Sequence, residues 1–129
     1  MIELVKQKFA EYLRDLGYSV GDNWVMRDTF PHLNLRVNGG FHAPTRVAGM
    51  GGCTLTVDIF STYHGEKEIL EIVENINDGL IGFIDANPEV TYAQLSSLHI
   101  LDDDKTGPVR EHGVVSYSFT LAKGDEIIG

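Results

Sequence analysis

The chain has 129 residues and a mass of 14.3 kDa, with 43% hydrophobic residues, 22% charged residues and a mean hydropathy of -0.08, the profile of one soluble globular domain. Ten Lys and Arg stand against 19 Asp and Glu, giving a formal charge of -9 and a pI near 4.8. That balance excludes a partner held mainly through phosphates.

The charge is unevenly placed. Residues 1–64 carry six bases and six acids, whereas residues 65–129 carry four bases and thirteen acids, so all of the net charge sits in the second half. A single cysteine, Cys53, has no partner for an internal disulfide, and its apolar alternating surroundings predict a small buried side chain rather than a nucleophile. The opening MIELVKQKF mixes charges among apolar residues, unlike a signal peptide, and no window approaches the roughly 18 apolar residues of a membrane span. An intracellular, reducing site of synthesis is the expected default.

Ile2, Val5, Phe9, Leu13 and Leu16 recur at helical spacing, and Gly17 stands where a left-handed cap ends a helix. Gly21-Asp22-Asn23 is turn chemistry, and Trp24–Arg27 is a short strand candidate. Pro31 opens a half-buried strand in which Leu33, Leu35 and Val37 alternate with His32, Asn34 and Arg36. Residues 38–52, NGGFHAPTRVAGMGG, hold five glycines and one proline and show no period, which predicts a long flexible loop.

Cys53, Leu55, Val57 and Ile59 then alternate with Thr54, Thr56 and Asp58 in the strongest strand of the sequence, expected to be central. A second helix follows Tyr63-His64-Gly65. Its apolar stripe is Ile69, Leu70, Val73, Ile76, Leu80, Phe83 and Ile84, with Glu71, Glu74, Asp78 and Asp85 opposite, and Asn87-Pro88 stops it. Tyr92–Leu101 and Arg110–Ala122 read as a final strand pair joined by the connection Asp102–Pro108, whose acidic run Asp102-Asp103-Asp104 suits a solvated tip. The expected fold is therefore one α+β domain, a mainly antiparallel sheet of four to five strands with two helices on one face, in the order α-β-β-β-α-β-β.

Signatures of chemistry are missing from the sequence. His32, His42, His64, His99 and His112 are scattered without ligand spacing, the serines lie in strand patterns rather than a nucleophile elbow, and neither glycine cluster makes a phosphate-binding pattern. No catalytic residue, cofactor site or metal site is assigned. The acidic helix face reads as solvated, with a second reading as a surface that docks a partner in one orientation and repels DNA.

The layout carries more than any motif. The N-terminal amphipathic helix, Thr29-Phe30-Pro31-His32-Leu33-Asn34-Leu35, the junction Val57-Asp58-Ile59-Phe60-Ser61 followed by Glu68-Ile69, and the closing run Arg110–Phe119 together resemble the tail terminator and tail-completion proteins of long-tailed phages and prophages. The resemblance spans nearly the whole chain. It implies a non-enzymatic virion protein, assembled in the bacterial host cytoplasm, that forms a homo-oligomeric ring, a hexamer by expectation, at the head-proximal end of the tail tube. Such a subunit stops tube polymerisation and contacts both the tail tube protein and the head-tail connector protein. It needs no sequence-specific nucleic acid and no membrane.

In this reading the loop 38–52 supplies the partner-binding residues Phe41, His42, Arg46 and Met50, ordered on contact. The alternatives are a minor capsid or neck protein, a small-molecule-binding or enzymatic α+β domain with the loop as a lid, and a regulatory module that dimerises through its sheet.

Overall fold

The computed structural model describes residues 2–22, 30–42, 50–102 and 109–122, with backbone alone at residues 2, 22, 38–42, 50–51 and 122. Helix α1 (Ile2–Asp15) buries Val5, Phe9 and Leu13 completely and leaves Leu16 outside its buried stripe. It ends as the glycine predicts: Gly17 takes φ +103°, its N–H donates to the Arg14 carbonyl, and the Tyr18 N–H donates to that of Leu13. This is a Schellman cap, which satisfies two carbonyls of the last turn.

Strand β1 (Ser19–Asp22) runs parallel to β2 (His32–His42), pairing Ser19 with His32 and Asp22 with Leu35. Gly21 and Asp22 are thus strand residues rather than the expected turn. Gly21 fits because a Cβ there would come within 3.3 Å of Asn34 Oδ1 on the neighbouring strand. The strand candidate Trp24–Arg27 lies outside the described residues. Phe30-Pro31 is a cis peptide immediately before β2.

β2 turns back antiparallel on β3 (Met50–Ser61), which pairs along its whole length with β5 (Glu111–Ala122); β4 (Val90–Asp102) closes the order β1-β2-β3-β5-β4. The sheet is antiparallel except at β1–β2, and β3 is central as expected. The glycine-rich stretch is shorter than its composition predicts. Residues 38–42 and 50–52 belong to strands, with Phe41 opposite Cys53, His42 opposite Gly52 and Met50 opposite Ala122. Ladder hydrogen bonds need no side chain, and Gly52 suits its place because a Cβ there would lie 3.1 Å from the Phe119 carbonyl oxygen.

The second helical run is two segments, α2 (Lys67–Asp78) and α3 (Leu80–Ala86), meeting at Gly79. The break is set by α1. The Tyr12 hydroxyl donates to the Ile76 carbonyl at 2.6 Å, and a Cβ on Gly79 would run into that hydroxyl. Ile69, Ile72, Val73, Ile76, Leu80 and Phe83 are buried, so Ile72 takes the core place expected of Leu70, which is exposed.

Period two decides the layers. Leu33, Leu35, Cys53, Leu55, Val57, Ile59, Val115, Tyr117, Phe119 and Leu121 all point to one face and pack with the helices into a single core. Phe9 is its hub, with its ring 5.1 Å from that of Phe119, 5.4 Å from Phe83 and 5.5 Å from Tyr117. At Gly113 the helix layer comes closest to the sheet, since a Cβ there would lie 2.7 Å from Ile69 Cγ2.

Candidate functional site

Alternation also decides what the opposite face carries: His32, Asn34 and Arg36 on β2, Thr56, Asp58 and Phe60 on β3, His112 and Ser116 on β5. Sequence patterning makes these the solvent side. The fold buries several of them instead, with His32, Asn34, Thr56 and Asp58 all but inaccessible.

Asp58 is the centre of this face. Its Oδ2 accepts a hydrogen bond from Arg36 Nε at 2.8 Å, and its Oδ1 accepts one from His112 Nε2 at 3.0 Å, so one carboxylate joins β2, β3 and β5. Burial pushes the Asp58 carboxyl up, but the hydrogen bonds from His112 and Arg36, together with their charge, outweigh it and hold the group below its ordinary value. The imidazole of His112 stacks on Phe60 with ring centres 4.6 Å apart. Thr56 and Ser116 continue the polar row across the next rung, their hydroxyls 3.1 Å apart.

Beside it, His32 Nε2 lies 3.2 Å from Asn34 Oδ1 and His32 Nδ1 lies 3.0 Å from the Ser19 hydroxyl, tying β2 to the parallel strand β1. Asn34 Nδ2 is buried and has no hydrogen-bond partner among the described residues. The chemistry of this row is that of a fixed ionic and hydrogen-bonded staple, since both carboxylate oxygens of Asp58 are occupied by neighbours from the chain itself.

The expected partner-binding residues are placed in part. Phe41, His42 and Met50 are brought to the same end of the β2–β3 ladder, and Arg46 lies outside the described residues. Cys53 is buried in the core and burial pushes its thiol up to about 11, which leaves no reactive thiolate at neutral pH. Glu71, Glu74, Asp78 and Asp85 are exposed, as a solvated helix face requires.

The structure also brings together residues that sequence spacing kept apart. His64 in the β3–α2 connection, Asp102 at the end of β4 and Glu111 at the start of β5 hold ligand atoms within 4.8 Å of one another. Asp103 and Asp104 lie outside the described residues. His64 also lines a surface hollow of about 320 Å³ with Tyr63, Lys67, Glu68 and Glu71. Among the described residues, no helix is long and apolar enough to cross a membrane.

No protein-family model and no curated protein matches the sequence.

Proposed function

We propose that the chain is a structural subunit of a phage tail, a tail terminator or tail-completion protein that forms a ring, a hexamer by the resemblance, at the head-proximal end of the tail tube. There it stops tube polymerisation and joins the tail to the head connector. The observation that carries this reading is the edge strand β4. It has 13 residues, pairs with β5 alone among the described residues, and exposes Tyr92 (53%), Leu101 (52%) and Leu95 (37%).

A long edge presents a row of unpaired backbone groups, which proteins blunt with Lys, Pro, other charges or β-bulges. β4 contains no Lys or Pro, and its ladder with β5 shifts register at Val90/Tyr92 and Leu95/Ser97. At the opposite edge of the described sheet, β1 (Ser19–Asp22) pairs in parallel with β2, unlike the antiparallel β4. The two ends of the sheet are therefore unlike surfaces, and a contact between unlike surfaces of successive copies is heterologous, the kind that closes into a ring when its rotation divides a full turn. The element order, α-β-β-β-α-β-β with the helices layered on one side, supports the same reading because the resemblance rests on that order.

Within this proposal the end of the β2–β3 ladder, with Phe41, His42 and Met50, and the neighbouring Arg46 meet the adjoining subunit, tube or connector. The exposed acids of α2 and α3 face solvent or the bore, where a ring multiplies their charge and keeps the passing genome from sticking. The role asks for no catalytic step and no cofactor.

Tail tubes assembled with and without the purified full chain, imaged by electron microscopy, test the proposal. Rings capping one end of tubes that stop lengthening are the expected result. Rings found on connectors alone would move the protein to the neck, and bare tube ends with bare connectors would overturn the reading.

A further inference from the structure

We propose that His64, Asp102 and Glu111 form a binding site for a divalent transition-metal ion such as Zn²⁺ or Mn²⁺. The three come from separate elements, and only the folded chain brings their ligand atoms within 4.8 Å of each other, a spacing that one ion can bridge. The site is independent of the assembly reading.

Glu111 carries the argument. It is only 7% exposed, and its side chain accepts a single hydrogen bond among the described residues, from the Gly65 N–H to Oε2 at 3.1 Å. Neither it nor Asp102 has a Lys or Arg partner among the described residues. Yet Asp102 and Glu111 sit directly opposite each other in the β4–β5 ladder. Like charges placed so are destabilising, and a buried carboxylate without a counter-charge is costly. A cation held between the two carboxylates removes both costs.

The loop supplies the third ligand. Ser61 is the last residue of β3 and pairs with Glu111, and the chain then bends through Gly65, whose φ of +90° favours glycine. That bend turns the Gly65 N–H onto Glu111 Oε2 and leaves His64 alongside. The amide fixes one carboxylate oxygen, the role an outer partner plays in orienting a metal ligand, and the other oxygen remains for the ion.

Donor chemistry selects the ion class. One imidazole with two carboxylates suits Zn²⁺ or Mn²⁺, whereas Mg²⁺ and Ca²⁺ prefer oxygen alone and gain little from His64. Water completes the coordination shell. The bound ion would pin the β3–α2 connection to the end of the β4–β5 ladder where Asp102 faces Glu111.

The test uses the full chain after EDTA treatment and desalting. Saturating Zn²⁺ should raise Tm by roughly 5 °C or more, while Mg²⁺ at the same concentration should do much less. Co²⁺ should give visible absorption bands reporting an imidazole–carboxylate site. His64→Ala, at an exposed position, should fold normally and lose both signals. Glu111→Gln keeps an acceptor for the Gly65 N–H and should lose them too. Unchanged Tm with Zn²⁺, Mn²⁺ and Co²⁺ in the parent chain would overturn the proposal, as would metal responses that persist in both variants.

Discussion

The buried Asp58 carboxylate receives Arg36 Nε at 2.8 Å across the β2–β3 ladder, so a charge in the middle of the central strand is held by a guanidinium whose side chain is 38% exposed. The acid sits wholly inside while the base, on the neighbouring strand β2, is partly exposed. His112 completes the contact from β5. Converting the acid to an amide leaves one acceptor oxygen for two donors and turns an NH2 group toward the other, and breaking a buried ionic contact costs more than its net contribution. Asp58→Asn should therefore destabilise the domain by about 2–4 kcal/mol in urea unfolding monitored by circular dichroism. Arg36→Lys keeps the charge but not the planar geometry, and should cost about 1 kcal/mol.

The same group sets an acid limit. Because the folded carboxyl is held below its ordinary value, the folded state favours the charged form, and its contribution is fully present above the unfolded value near pH 4. It is lost as pH falls from there through the lower folded value. Unfolding free energies measured from pH 7 to pH 2 should show the gap between the parent chain and Asp58→Asn narrowing below about pH 4. A gap that stays constant over that range would remove Asp58 from the acid transition.

These contacts show where reading the sequence stops. Leu33, Leu55, Val57, Val115, Tyr117 and Phe119 were legible as one buried face because strict alternation and core packing agree. The intervening His32, Asn34, Asp58 and Ser116 follow the same alternation, which only assigns them to the other face. Their burial depends on neighbours 13 to 60 residues away, such as Ser19 for His32 and Thr56 for Ser116. His64, Asp102 and Glu111 meet for the same reason, through ladder register rather than spacing. β1 is not legible in the sequence because Ser19–Asp22, one of them glycine, carries almost no strand pattern, and its parallel pairing is set by β2. The strand character of residues 38–42 and 50–52 was hidden by glycine, whose propensity argues against a ladder that backbone pairing nonetheless makes.

The helix break at Gly79 can be tested through its neighbour. Tyr12→Phe removes the hydroxyl that donates to the Ile76 carbonyl and should cost about 1 kcal/mol. Gly79→Ala places a Cβ against that same hydroxyl and, despite the better helix propensity of alanine, should destabilise by roughly 1–3 kcal/mol. In the double variant the closest obstruction is gone, and the next contacts, ring carbons at 3.2 Å, need only a small shift. The cycle should therefore be non-additive, with Gly79→Ala costing at least about 1 kcal/mol less in the Tyr12→Phe background. Additive losses would show that Gly79 is required by backbone conformation rather than by Tyr12.

The edge strand gives the sharpest separation between folding and assembly. Tyr92 and Leu101 pair with Thr120 and His112, so both lie on the face away from the helices, and both are more than half exposed. Replacing an exposed residue with lysine usually changes stability by about 0.5 kcal/mol or less, whereas a lysine on an edge strand is a standard obstacle to pairing with another sheet. Tyr92→Lys with Leu101→Lys should leave Tm and the circular dichroism spectrum close to those of the parent chain. If β4 is an assembly edge, the double variant should fail to cap tail tubes and should lose the higher oligomers that analytical ultracentrifugation detects with tube protein present. A variant that folds and still caps tubes would place the contact elsewhere, with the end of the β2–β3 ladder as the next surface to alter.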